Sequence, residues 1–170
     1  MTDKHSNATW FESGMVEFAN ARYDKSIELF TRAIESESSS AMAYVSRGAA
    51  YLKLGLPAQA EMDCDSAVSI DPDYARAYHV RGLIREASGD DRAALADFDR
   101  AIDLNPEYGA AYYSRATLHA KLSDTEKAQD DIEMAVHLAN CNLETFMGAN
   151  NVWHTQHMRV EDAMETELER

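Results

Sequence analysis

The sequence predicts an all-α protein, a solenoid of four stacked helix hairpins followed by a C-terminal capping helix. A 34-residue period runs through most of the 170 residues. Within each period, apolar residues recur at the spacing of one helix face. The chain has only three prolines and seven glycines, which suits a largely helical protein. Because one hairpin alone would leave an apolar face in water, the hairpins are expected to stack into a single body.

The period is visible as recurring segments. Ser46–Tyr51 returns 34 residues later as Val80–Arg85 and then as Ser114–His119, and Asp71–Ala75 returns as Asn105–Gly109. This spacing divides the chain into an N-terminal tail (1–6), four repeats (7–40, 41–74, 75–108 and 109–142) and a C-terminal segment (143–170). Positions are counted below from the first residue of each repeat.

Several positions keep one kind of residue in every repeat. Position 4 is aromatic, position 8 is small and position 27 is alanine, and small residues at such places let two helices approach closely. Gly55 and Gly89 fall between the two helical runs, where a sharp turn needs positive φ, and Pro72 and Pro106 end the second helix. The aromatic position holds Trp10, Tyr44, Tyr78 and Tyr112, and the small position holds Gly14, Gly48, Gly82 and Ala116.

This pattern of aromatic, glycine, alanine and proline resembles the tetratricopeptide repeat (TPR) family, over residues 7–142. The resemblance implies a right-handed α-solenoid of four TPR hairpins whose first helices line a concave groove. Repeats one and four depart from the pattern, with Ser38 in place of proline and Ala116 in place of glycine. Atypical terminal repeats are usual in solenoids, because each end faces something other than a sister repeat.

Position 7 is arginine and position 23 is aspartate in repeats two to four. The two positions lie symmetrically about the turn near position 15, so their side chains should face each other across the hairpin. An arginine cluster also suggests an anion site, but the matching aspartates favour structural ion pairs. The predicted pairs are Arg47 with Asp63, Arg81 with Asp97, and Arg115 with Asp131.

The resemblance also implies which residues line the groove. The first half of this surface is apolar, the kind of patch that usually marks a binding site, and its methionines adapt to several partners. The second half is mixed, with polar anchors for a helix or extended peptide that is apolar at one end and acidic at the other. Alternatively, the ends of the chain cover part of the patch. The predicted groove residues are Phe11, Met15, Phe18, Met42, Val45, Ala49, Leu52, Arg76, His79, Leu83, Tyr113 and Lys121.

Some TPR proteins clamp the acidic C-terminus of heat-shock chaperones with two lysines, two asparagines and an arginine. The corresponding residues here are Phe11, Met15, Ser46, Arg76 and Val80, of which only Arg76 matches in character. The sequence therefore argues against a co-chaperone of this clamp type.

Charge and composition exclude several classes of partner. The formal net charge is −14, with 16 basic against 30 acidic residues, which disfavours nucleic acid and anionic membranes. Two cysteines without a framework spacing, no apolar leader and no long apolar run indicate a cytoplasmic protein.

The C-terminal segment 143–170 begins like a further first helix, with Phe146 at position 4 and Trp153 at position 11. We expect its front half to cap repeat four and its back half to extend towards a partner or a second protomer, which makes 143–170 a candidate site of homo-oligomerisation. His154, His157 and Glu161 share one face of this helix, a spacing that also suits a divalent metal. Without a third histidine or an HExxH motif, we predict neither a metal nor a cofactor.

The sequence therefore predicts a protein–protein interaction module, a scaffold or adaptor, and not an enzyme, since it lacks phosphate-loop and nucleophile motifs. The alternatives are a secretion-type or assembly chaperone, a self-assembling TPR scaffold and, with least support, a metal-dependent enzyme that uses His154 and His157.

Overall fold

The computed structural model describes residues 7–36 and 40–149, with side chains for 9–36 and 40–141. Within these ranges the chain is all-helical and has no strand, so the predicted fold class is confirmed. The helices are α1 (Asn7–Ala19), α2 (Tyr23–Glu35), α3 (Ala41–Lys53), α4 (Pro57–Ile70), α5 (Ala75–Ala87), α6 (Asp91–Leu104), α7 (Gly109–Lys121) and α8 (Thr125–Ala149).

The helices form a two-layered stack. Each predicted repeat contains one hairpin, in which α1 packs on α2, α3 on α4, α5 on α6 and α7 on α8. The second helix of each hairpin also packs on the first helix of the next. First helices touch one another in the series α1, α3, α5 and α7, so they form the inner row of the solenoid and line its concave groove.

The turn inside each hairpin uses a left-handed residue at position 15. Gly55 (φ 72°) and Gly89 (φ 86°) occupy it in the two middle repeats, as the sequence predicts. Ala21 (φ 57°) and Ser123 (φ 66°) occupy it in the outer repeats. This conformation costs a residue with a side chain about 1 kcal/mol, so the outer turns are the more strained ones.

The core is centred on position 24. Phe30, Cys64 and Phe98 occupy this position and are fully buried. The small residue at position 8 lies opposite, and a Cβ added to Gly82 would approach the Phe98 ring to 2.5 Å. The glycine is therefore required by the close approach of α5 and α6.

We expect Gly82→Ala to lower the free energy of unfolding by about 1–3 kcal/mol, because the buried Phe98 ring has no room to move away. The gain in helix propensity, about 1 kcal/mol, offsets only part of this cost. Urea denaturation followed by circular dichroism measures the change. Gly109→Ala is the matched control, since its Cβ would lie 3.6 Å from Leu138 in ordinary contact. Equal stability of the two variants would contradict the packing described.

The last helix differs from the prediction. We expected a new helix from residue 143, but α8 runs for 25 residues, from Thr125 to Ala149, with no break. Position 32 is Asn140 here, and without the proline of repeats two and three the helix has no reason to end. Residues 150–170 lie outside the described part of the chain. None of the described helices is both long and apolar enough to cross a membrane.

Candidate functional site

The inner row of helices presents a groove that differs from the predicted one in its apolar half. Met42 is 45% exposed. Phe11, Met15, Phe18, Ala49 and Leu52 are half-buried. The ring of Phe11 lies 5.6 Å from that of the core residue Phe30, so part of its surface is used within repeat one. The exposed apolar wall is therefore smaller than the sequence suggests.

Val45 and His79 do not offer the accessible surface predicted for them. Val45 is 0% exposed and packs with Cys64 and Val80 in the core of repeats two and three. His79 is 8% exposed. Both occupy position 5, and the following repeat covers this position.

A cleft of about 680 Å³ opens in the groove at repeat three. Arg76, His79 and Leu83 line it from α5, and Tyr74 and Tyr108 close it from the ends of neighbouring repeats. The cleft combines a guanidinium, phenol hydroxyls and an aliphatic wall. These groups suit a ligand with an anionic part beside an apolar part.

Arg76 is unusual among the arginines of this acidic chain. Of the arginines that the structure describes, all but Arg76 and Arg92 have a carboxylate oxygen at 3.9 Å or less. Arg76 is exposed at the cleft. Burial raises the pKa values of Tyr74 and Tyr108, and the positive charge of Arg76 offsets part of that rise. The cleft therefore contains a positive charge with no carboxylate partner within the described residues.

His79 joins repeats three and four at the base of the cleft. Its Nδ1 lies 2.9 Å from the Tyr108 hydroxyl and its Nε2 lies 2.9 Å from the Ser114 hydroxyl. Burial, with a smaller contribution from the charge of Arg76, lowers the pKa of His79 to about 4. The imidazole is therefore neutral at pH 7 and holds two hydroxyls in place.

The structure brings each arginine of position 7 against the aspartate expected to face it. Each pair is bidentate: Nε and Nη2 of the arginine donate to the two carboxylate oxygens at 2.6 to 3.0 Å. Asp63, Asp97 and Asp131 are buried, at 4 to 6% exposed. The six residues lie within the hairpins and do not form an anion site.

The arginines also bind the preceding repeat, which sequence reasoning missed. The free Nη1 of Arg81 donates to Asp65 at 2.8 Å, and that of Arg115 donates to Asp99 at 2.6 Å. In the first junction, Arg47 donates to the hydroxyl of Thr31 at 3.0 Å. All three acceptors occupy position 25, so the 34-residue register contained the signal.

The predicted polar anchors of repeat four differ from each other. Tyr113 is 61% exposed. Lys121 is exposed, and its Nζ lies 2.6 Å from Asp91 of repeat three, so its charge is already compensated. Arg76 is therefore the cation of the predicted groove that a ligand can engage without displacing a carboxylate.

The positions that correspond to the chaperone clamp do not assemble one. Ser46 and Val80 are buried, at 4% and 7% exposed, and Phe11 and Met15 are half-buried and apolar. Arg76 alone combines exposure with a polar side chain. Among the described residues, no group of three metal-ligating side chains comes together. His154, His157 and Glu161 lie outside that part of the chain.

Comparison with known proteins identifies the repeats. The family model "Tetratricopeptide repeat" matches residues 11–75 and 79–140. RNA polymerase II-associated protein 3 of Xenopus laevis is 30% identical over 76 residues, which are 45% of this chain and 10% of that protein. Hsc70-interacting protein 1 of Drosophila melanogaster is 36% identical over 58 residues, 34% of this chain and 15% of that protein. The matched region thus spans a small part of each relative.

Solved structures share the architecture. The first TPR of Spaghetti (RPAP3), bound to the HSP90 peptide SRMEEVD, has a TM-score of 0.65 and 27% identity and covers 71% of this chain and 96% of its own. The TPR domain of Arabidopsis OM64 has a TM-score of 0.64 and 31% identity, covering 68% and 95%. TTC0263, a thermophilic TPR protein of Thermus thermophilus, has a TM-score of 0.73 and 24% identity, covering 79% and 75%, a likeness of fold alone.

Proposed function

Because the chain belongs to the tetratricopeptide-repeat family, we propose that it is a protein-interaction module, a scaffold or adaptor that holds a segment of a partner protein in its concave groove. The observation that carries the proposal is the cleft of repeat three, where Arg76 stands without a carboxylate partner among the described residues. The related first TPR of Spaghetti, solved with a bound peptide, supports a peptide as the ligand. The proposal assigns no catalysis to the chain.

The cleft favours a partner segment with an acidic group next to an aliphatic or aromatic residue. A carboxylate placed at Arg76 gains a charge-assisted hydrogen bond, and the hydroxyls of Tyr74 and Tyr108 lie around it. The neighbouring side chain would contact Leu83. Although the net charge of −14 repels acidic segments at long range, charges more than about 8 Å apart are largely screened at physiological salt. Recognition within the cleft is therefore governed by Arg76.

This mode differs from the five-residue chaperone clamp. Four of the five clamp positions here are apolar or buried, so a terminal carboxylate would meet one cation instead of several side-chain donors. We propose that an acidic segment is held by Arg76 and the tyrosines, and that the partner need not end at the cleft.

We expect Arg76→Glu to weaken peptide binding by at least about 30-fold, because it replaces an attraction with a repulsion, a change of about 2 kcal/mol or more. The ligands are found by selecting wild-type protein against a displayed library of random 12-residue peptides. Fluorescence anisotropy then measures the affinities of the enriched peptides, with SRMEEVD as a reference ligand.

Arg92→Glu is the matched control, since Arg92 is also without a carboxylate partner in the described chain, but it lies on the outer helix α6. It should leave the affinities unchanged. Enriched peptides that lack acidic residues, or equal binding to the Arg76 and Arg92 variants, would refute the assignment.

We also propose that the protein works in a reducing compartment such as the cytoplasm. Cys64 is a free thiol in the core. Burial raises the pKa of Cys64 to about 12, which makes it an inert core residue. Both features suit a chain that does not depend on oxidised cysteines.

A further inference from the structure

The amino-terminal end of the solenoid exposes a surface that every later repeat buries. Position 10 lies on the first helix, on the side that faces the preceding repeat. Ala50, Ile84 and Leu118 occupy it in repeats two to four and are all 0% exposed. Val16 occupies it in repeat one and is 59% exposed. We call the surface of α1 around Val16 and Ser13 the amino-terminal face.

The carboxy-terminal end shows the complementary change. In repeat three, α7 covers positions 5, 24 and 28, but in repeat four the same positions are open. Tyr113 is 61% exposed where His79 is 8%, Ile132 is 45% where Phe98 is 0%, and Val136 is 54% where Ile102 is 9%. We call the surface formed by Tyr113, Ile132 and Val136 the carboxy-terminal face.

A cleft of about 620 Å³ lies on the carboxy-terminal face. Tyr113, Ile132 and Val136 line it together with the small residues Ala135 and Ala139. Its lining is mostly apolar, and small residues leave room for a helix to approach closely. The two faces are thus the separated halves of a contact that α2–α3, α4–α5 and α6–α7 make inside the chain.

The polar positions of the two faces are compatible. At an internal junction Arg81 meets Asp65, and Arg85 meets Glu61 at 3.0 Å. Between the two ends, the same register places Ser13 opposite Glu133 and Glu17 opposite Gln129. A hydroxyl and an amide can each donate to a carboxylate, so no like charges meet at these places.

We propose that the amino-terminal face of one copy docks on the carboxy-terminal face of a second copy, α1 lying against α8 as α7 lies against α6. A single copy cannot join its own two ends, so the contact is intermolecular. The contact is heterologous, because each copy binds one neighbour with its amino-terminal face and another with its carboxy-terminal face. It therefore propagates as a row of copies. This association does not use Arg76 and does not rest on the function proposed for its cleft, although Tyr113 of the predicted groove belongs to the carboxy-terminal face.

The test follows the mass of the full chain by sedimentation velocity, from about 1 to 200 μM, a range suited to weak association. Wild type should grow continuously past the dimer. Val16→Glu and Ile132→Glu should each raise the dissociation constant about tenfold or more, because a charge enters the centre of the contact. Met62→Glu, on α4, is the matched control, since Met62 is 70% exposed but belongs to neither face.

Mixing the two variants gives the sharpest result. Each keeps one intact face, so an equimolar mixture should form a one-to-one dimer of Val16→Glu and Ile132→Glu chains and grow no further. Circular dichroism checks that each variant folds, and Val136→Lys replaces Ile132→Glu if the latter does not.

Three outcomes would overturn the proposal. The first is a wild-type monomer at every concentration, as expected if residues 150–170 of the same chain cover the carboxy-terminal face. The second is growth that stops at a dimer. The third is association that survives Val16→Glu. Arg76→Glu should leave the association unchanged, which separates this test from that of the groove.

Discussion

Asp97→Ala is expected to lower the free energy of unfolding by about 3–5 kcal/mol, the range for breaking a buried ion pair from one side. Asp97 is 4% exposed and accepts from both Nε and Nη2 of Arg81, at 3.0 and 2.8 Å. It also accepts from Nη1 of Arg85 at 2.9 Å. Its removal therefore leaves two guanidinium groups without their shared buried carboxylate.

Chemical denaturation with urea measures this loss. Asp103→Ala is the control, because Asp103 lies exposed on the same helix, and we expect a change within about 0.5 kcal/mol. Asp97→Asn keeps the shape of the side chain and one acceptor oxygen but loses the charge and the second acceptor, so an intermediate stability is expected. If Asp97→Ala proves no more harmful than Asp103→Ala, the pair does not stabilise the hairpin.

The stability of the protein is expected to depend on His79 below pH 6.5. The pKa of His79 is lowered to about 4 in the folded chain, from an ordinary value of 6.5. Between these two values the unfolded chain binds the proton and the folded chain does not, so stability falls as the pH falls. The full difference is about 3 kcal/mol, reached near pH 4.

Acidic residues titrate in the same range, so the effect of His79 must be isolated by a variant. His79→Gln keeps a hydrogen-bonding side chain beside Tyr108 and Ser114 and cannot be protonated. Urea denaturation of both proteins between pH 7 and pH 4 should show the wild type losing about 3 kcal/mol more than the variant over that interval. If the two proteins lost the same free energy of unfolding between pH 7 and pH 4, the fold would not lower the pKa of His79.

The hairpins and the Arg–Asp pairs within them were predictable from the sequence, because both depend only on the spacing of residues within the repeat. Once the 34-residue period is known, position 7 and position 23 lie across one turn, and Arg81 and Asp97 can be matched by counting. The second acceptor, Asp65, belongs to the preceding repeat. The period marks position 25 as a recurring polar position, but pairing it with the arginine of the next repeat required the angle between successive hairpins, which the period does not contain.

The burial of groove residues was predictable only in part, because it too depends on how successive repeats pack. The family pattern assigns position 5 to the concave surface, but Val45 and His79 there are covered by the repeat that follows. At Tyr113 the following repeat is absent from the described chain, and the same position is open. Exposure of a groove residue thus depends on its neighbour in the stack as well as on its own position.

The end of α8 shows the limit of motif-based boundaries. Phe146 matches a first-helix position, and this match predicted a new helix. The local sequence around Asn140 contains neither proline nor glycine, and the helix continues through it to Ala149. Stop signals were the better guide here than a single aromatic match.

Each arginine of position 7 makes a second contact, to the preceding repeat, and this contact differs between the three junctions of the solenoid. Arg81 and Arg115 fasten their junctions with an ion pair to Asp65 and Asp99, whereas Arg47 reaches only the neutral hydroxyl of Thr31. Charge-assisted hydrogen bonds are roughly twice as strong as neutral ones. The junction of the first hairpin therefore lacks the charge that reinforces the two later junctions, so added salt should weaken it the least.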